Sequence, residues 1–249
     1  MATASRDIDT HGPSTTTTEW LRLVRAGAIV MATWSVALQG FAQTLIPPVA
    51  VIGLVFLGFV PFLKGERRAL GLVVAVFGAL AVAGNLEIIL DDFRNPESAP
   101  AFILNLASLV GVTLAVVGGA AGFLRRPSGL IRTLAVGAAG VFIAGTVASL
   151  AIAAGTESDT ALAGDVAVTA RHVMWAPETI ALDASDGGLW IDNQDGIRHT
   201  FTIPQLAIDV EVPALKARRV DIDAVPGEYQ IICTVPGHET MTGTLTVGN

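Results

Sequence analysis

The sequence predicts an α-helical transmembrane bundle of about five spans followed by an all-β sandwich. Three observations predict it. The chain of 249 residues is 52% hydrophobic and 15% charged, with a mean hydropathy of +0.61, where a soluble domain carries about 25% charged residues. The apolar residues are concentrated in long uncharged runs before residue 156, and none of membrane length follows. Beyond that point the pattern becomes short segments of alternating apolar and polar residues separated by turn-formers.

Charges mark the ends of the spans. Uncharged runs cover 26–63, 69–86, 98–124 and 133–156. A span needs about 20 apolar residues, so the last three runs each fit one helix, the second extending past Glu87 to Leu90. The first run, 38 residues long, is too long for one span and contains Pro47 and Pro48 after the polar patch QGFAQT. It reads as a helical hairpin, with helices near 22–43 and 46–63. Basic residues favour the cytoplasmic side. Arg22 and Arg25, Lys64, Arg67 and Arg68, and Arg125, Arg126 and Arg132 then lie inside, and the acidic stretch 91–97 lies outside. Five helices with a cytoplasmic N-terminus satisfy every loop and leave the C-terminal domain extracytoplasmic, in a multi-pass protein of the cell membrane embedded in lipid. A cleaved signal peptide ending near GFAQ is the alternative for the first helix; it leaves four spans and the same placement of the C-terminus.

Within 20–156 the composition gives packing rather than chemistry. Gly and Ala runs such as GGAAG at 118–122 let helices approach closely. Glu87 sits inside an apolar run, and with Asp91 and Asp92 one turn on it reads as a solvated helix end. All four histidines, His11, His172, His199 and His238, fall outside the runs, which excludes a haem held by helix histidines of this chain. Residues 1–19, with TTTT at 15–18, have the composition of a disordered cytoplasmic tail.

The segment 160–249 forms the second domain. DVAVTA, ETIAL, GLWIDN, HTFTI, DVEV, RRVDIDA, YQIIC and GTLTV read as strands, separated by turns such as SDGG, NQDG, VPGE and PGHE. From Glu157 onward there are 14 acidic and 5 basic residues, against 8 and 10 before it. The acidic balance opposes nucleic-acid binding and favours a partner with a basic docking surface.

The only cysteine, Cys233, opens the stretch CTVPGHETMTG, which also holds His238 and Met241; His199 begins the segment HTFTI after the turn NQDG. A thiolate and two imidazoles form a trigonal plane that suits copper in both oxidation states, with a weak thioether on the axis. One cysteine excludes a binuclear copper centre of the oxidase type, and zinc would give methionine no role. His172 has no partner at ligand spacing and reads as incidental.

On DGIRHTFTI and CTVPGHETMTGTLTV, residues 164–249 resemble the cupredoxins, the small blue copper electron-transfer proteins. The Cys-x4-His loop with PGH is similar to that of azurins, and the His-x2-Met spacing to that of amicyanins. The resemblance implies a Greek-key sandwich and one type 1 copper ion, with His199, Cys233 and His238 as equatorial ligands and Met241 as the axial one. It implies Thr200 and Thr234 as neighbours that tune the sulfur, and the edge of His238 as the port for electrons. The expected function is one-electron transfer at the outer membrane face, with a c-type cytochrome or an oxidase as redox partner. Copper storage, sensing or delivery is the alternative. With every copper position filled by protein and no nucleophile–base pair nearby, no enzymatic activity is expected.

Overall fold

The computed structural model describes residues 15–43, 45–64, 67–124, 128–183 and 187–248. His11, Arg125 and Arg126 and most of the expected tail lie outside the described residues. Helix α1 runs Thr15–Ala42, so residues 15–19, expected to be disordered, form its first turn. The threonines are poor helix formers, but extending an existing helix costs far less than nucleating one.

Helix α2, Pro47–Phe59, has proline at its first two positions and ends in a 3-10 turn, Val60–Phe62. Proline at a helix start loses no intrahelical bond, which makes this pair a re-entry point rather than a kink. Helix α3, Arg68–Ala83, is followed by α4, Leu86–Arg94, at an angle of 60°. The uncharged run 69–86 therefore does not continue straight to Leu90. The break falls at Gly84 and Asn85, where the Asn85 side-chain amide donates to the Ala81 carbonyl at 2.8 Å and takes up a carbonyl that the next helical turn would have used. Asp91 and Asp92, expected in an outer loop, lie in the last turns of α4. This helix is amphipathic and turns Ile89 and Asp92 inward, where Asn105 donates to the Asp92 carboxylate.

Helices α5, Ala99–Leu124, and α6, Ser128–Gly155, complete the bundle. Three helices among the described residues are long and apolar enough to cross a membrane, with the bent α3–α4 pair as a fourth element and Pro47–Phe62 as a shorter apolar one. Helix α5 is central and packs against α1, α3 and α6. The close approach to α3 depends on Gly119, where an added Cβ would stand 2.6 Å from the Gly71 carbonyl oxygen. Val24, Phe56, Val74 and Ala115 are fully buried between the helices, whereas α6 leaves most of its apolar surface outward.

Nine strands follow among the described residues: β1 Asp165–Ala170, β2 Trp175–Ala176, β3 Thr179–Leu182, β4 Gly188–Asn193, β5 His199–Ile203, β6 Ile208–Val212, β7 Ala217–Val220, β8 Gly227–Ile232 and β9 Thr242–Val247. They form two sheets, ordered β2-β1-β4-β7 and β3-β9-β8-β5-β6. The inward residues of both sheets share one core that includes Val168, Trp175, Ile180, Leu189, Phe201, Ile231 and Leu245. The strand expected over RRVDIDA ends at Val220, and the two-residue β2 was not anticipated.

The two halves are tied together on one side of the bundle. Arg198 pairs with Asp91 of α4. The Ala214 N–H donates to Ser98 Oγ at 3.1 Å, and the Gly196 N–H to the Phe41 carbonyl at 3.3 Å. The connecting segment after α6 lies along β7, with the Asp159 N–H donating to the Ala217 carbonyl and Trp190 Nε1 donating to the Asp159 carbonyl.

Candidate metal centre

The site is assembled at one end of the β domain from the start of β5 and the loop between β8 and β9. Every residue of β5 is buried, which carries the His199 side chain into the interior at 0% exposure. Cys233 follows directly after β8 and is 5% exposed. The loop then folds back on itself. The Cys233 N–H donates to the Met241 carbonyl at 3.0 Å, the Met241 N–H to the His238 carbonyl at 2.8 Å, and the His238 N–H to the Val235 carbonyl at 3.0 Å. Gly237, at φ +87°, supplies the left-handed residue this tight path requires.

One donor atom each from His199, Cys233 and His238 lies within 4.8 Å of the others. His238 Nδ1 is 3.7 Å from Cys233 Sγ, and the two imidazole rings are 5.0 Å apart. Met241 is buried in the core beside them. The structure thus brings together the three residues expected in the equatorial plane and places the fourth next to them in the same closed loop. His172 remains outside the donor cluster.

The surroundings prepare these groups for a metal. Asp195, fully buried in the turn before β5, stands 2.9 Å from His199 Nε2. A carboxylate can only accept, so Nε2 carries a proton, and Nδ1 is the ring nitrogen that offers its lone pair to a metal when the imidazole is neutral. That nitrogen is buried and has no hydrogen-bond partner within the protein, as a metal ligand would be. Asp195 is itself held by the backbone N–H groups of His172 and Val173, at 2.8 and 3.0 Å. Burial opposes its charge, but these hydrogen bonds and that of His199 win and keep its carboxyl below the usual range. Burial likewise opposes ionisation of Cys233, yet the imidazoles of His199 and His238 and the backbone N–H groups of Thr200 and Val235 outweigh it and bring the thiol down to about 5. The Thr200 N–H reaches the sulfur at 3.4 Å, and the Thr200 hydroxyl at 3.8 Å. Thr234 completes this arrangement: its N–H donates to Thr200 Oγ1 at 2.7 Å, and the two hydroxyls are 2.9 Å apart.

A stabilised thiolate and two imidazoles, one oriented by a carboxylate, fit a thiophilic metal such as copper. Residues 140–247 match the family model described as the cupredoxin-like domain. The β domain is a cupredoxin-like domain. The match begins within α6, and the helical region before it carries no family name.

Comparison with solved structures finds a reduced mutant amicyanin at 15% identity, covering 35% of this chain and 86% of that one, with a TM-score of 0.31. A mutant fern plastocyanin is 20% identical, covers 33% of this chain and 100% of that one, and has a TM-score of 0.28. A chain of a haem-copper terminal oxidase dimer is 17% identical, covers 44% of this chain and 94% of its own length, and has a TM-score of 0.29. Comparison with curated proteins finds no match.

Sequence reasoning missed two features of the cupredoxin-like domain's surroundings. Asp195 stands in the turn NQDG, and its place four residues before His199 is the available signal. The second is the position of His238. Its loop does not open freely to solvent but lines a cavity against the helical bundle, with Ile88 of α4 close to Gly237. Nothing in the local sequence pairs these segments.

Proposed function

We propose that the chain is a membrane-anchored, extracytoplasmic blue copper protein that transfers one electron at a time. His199, Cys233, His238 and Met241 would hold a single type 1 copper ion. The copper would supply a Cu(II)/Cu(I) couple. The observation that carries this reading is the convergence of one thiolate and two imidazoles, with the free Nδ1 of His199 fixed by Asp195. The protein's own groups do the rest. Asp195 keeps one imidazole in a single tautomer, the Thr200 groups hold the sulfur, and the closed Cys233–Met241 loop resists rearrangement between oxidation states. Such a buried, tied donor set suits electron transfer better than release of copper to an acceptor. Protein ligands fill the coordination positions, so the centre is a carrier rather than a catalyst.

The contacts between the two halves support the five-span topology. The C-terminal end of α1, the end of α4, the start of α5 and the segment after α6 all touch the β domain. The chain therefore alternates direction through α1, α2, α3, α5 and α6, and the basic residues Arg22, Arg25, Arg67, Arg68 and Arg132 sit toward the opposite ends of their helices. This arrangement supports the reading of the β domain as lying on the acidic, outer side. The order β3-β9-β8-β5-β6 supports the Greek-key reading. A c-type cytochrome or an oxidase with a basic docking surface is the fitting acceptor for so acidic a domain.

The test is the optical and EPR spectrum of the full chain loaded with Cu(II), beside Cys233→Ala. An intense thiolate-to-copper band with narrow hyperfine splitting, lost in the variant, is expected. A pale spectrum with ordinary splitting would remove the electron-transfer reading.

A further inference from the structure

The cavity at the junction of the two halves encloses about 640 Å³, within the size range of small-molecule sites. One wall is the His238 loop, with Val235 and Pro236; the others come from the outer ends of α1, α2, α4 and α5. Its lining is mostly apolar. Polar side chains interrupt that lining, among them Trp34, Arg198, Asp92 and Asn105. Trp34 and Arg198 are each 6% exposed, and Trp34 Nε1 and Arg198 Nε are buried donors without a hydrogen-bond partner. Asp92 and Asn105 are buried beside them as a hydrogen-bonded pair. Native interiors rarely leave buried donors unpaired, and both of these belong to residues that line the cavity.

We propose that this cavity binds a lipid-soluble quinone and its hydroquinone, which deliver electrons to the metal centre from the membrane. The inference rests on the electron-transfer reading above. A flat ring with oxygens at its rim gives Trp34 and Arg198 their acceptors, and its hydroxyl form can donate to the Asp92 carboxylate. An apolar tail suits the remaining wall. A lipid acyl chain would leave both N–H donors unpaired, and a volume of about 640 Å³ suits a small molecule rather than a protein surface. His238, at once a donor-cluster residue and a wall of the cavity, joins the two sites directly. Oxidation of one hydroquinone breaks two O–H bonds and releases two electrons and two protons. It therefore reduces two Cu(II) to Cu(I), or one copper twice if a one-electron acceptor protein reoxidises it in between, with the protons leaving to outside water.

The first test needs no metal. The full chain in nanodiscs, metal-free and with 15N-labelled tryptophan, is titrated with decyl-benzoquinone. A saturable shift of the Trp34 indole N–H is expected, with the Trp175 and Trp190 signals unmoved. Trp34→Phe should weaken binding about fivefold, the worth of one neutral hydrogen bond, and Ala101→Phe, which fills the cavity, should abolish it. The Cu(II) spectrum of both variants reports whether they fold. No saturable shift, or an equal shift with decanol, overturns the proposal. In the copper-loaded protein, decyl-hydroquinone should bleach the blue band in the parent chain and at least about tenfold more slowly in Ala101→Phe, while ascorbate bleaches both alike; equal rates with the hydroquinone overturn the proposal. Failure of ascorbate to change the copper would instead overturn the electron-transfer reading, and the metal-free titration still decides the site.

Discussion

Asp195 does three things with two oxygens: it fixes the tautomer of His199 and holds the backbone N–H groups of His172 and Val173, both of which adopt positive φ. Those φ values of +58° and +59° are unusual for a histidine and are costly for a β-branched valine, so the carboxylate also stabilises a turn the chain would otherwise avoid. Asp195→Ala is expected to weaken copper binding by about 10- to 100-fold, the usual effect of losing a ligand's supporting partner. It should also lower stability by about 1–3 kcal/mol through the buried N–H groups left unpaired. Competition with a chelator measures the first and thermal melting of the metal-free chain the second. An unchanged affinity would mean that packing against Trp175, whose ring centroid is 6.1 Å from that of His199, is enough to hold the imidazole.

Among the elements, α5 is the most constrained, because it meets α3 backbone to backbone. A Cβ at Gly119 would stand 2.6 Å from a carbonyl oxygen of α3 and 2.8 Å from the Ala75 Cβ, and neither obstacle can swing aside. Gly119→Leu should therefore destabilise the bundle by at least the usual overpacking cost of about 1–3 kcal/mol. Gly137→Leu on α6, where an added Cβ meets nothing within 4 Å, should be neutral; melting in detergent separates them. In the β domain, Asp165 of β1 is bound to Arg219 of β7 at 2.9 Å across the intervening β4. The hydrogen bond from Arg219 holds this carboxyl below its ordinary value of 3.8. A lowered carboxylate adds stability that is present above the unfolded value and is lost as pH falls through the folded one. The stability gap between the parent chain and Asp165→Asn should accordingly narrow below about pH 4, which denaturant titrations at pH 7 and pH 3 would show. Strands such as DVAVTA and GTLTV were legible in the sequence because a sheet with one buried face imposes strict alternation on its residues. The break between α3 and α4 was not, because Gly84 and Asn85 carry no charge to mark it and the apolar run continues on both sides. Of the site, the candidate donors were legible because cysteine, histidine and methionine in one loop have few other uses. Asp195 was not, because a turn aspartate has many.

At the scale of the whole molecule, the docking of the β domain on the bundle was invisible in the sequence, since its central ion pair joins residues 107 apart. Arg198 is one of only 5 basic residues after Glu157, and it is nearly buried, pairing with Asp91 of the bundle and with Glu211 of β6. It also immediately precedes His199, so the bundle contact and the His199–Cys233–His238 donor cluster share one short piece of backbone. Removing one partner of a buried pair leaves the other charge uncompensated and costs more than the pair is worth. Arg198→Ala should therefore loosen the contact between the halves without unfolding either. The measurement is amide hydrogen exchange. Gly196 and Ala214, whose N–H groups donate to Phe41 and Ser98 across the contact, should exchange faster in the variant. Ile231 and Leu245, in the shared core of the two sheets, should keep their protection. Arg198→Lys preserves the charge but not the two-armed reach to Asp91 and Glu211, and should lie between the two. If core protection falls together with that of Gly196 and Ala214, Arg198 belongs to the stability of the β domain itself. If neither pair changes, the contact is held by Ser98, Phe41 and the segment along β7, and the ion pair contributes nothing to it.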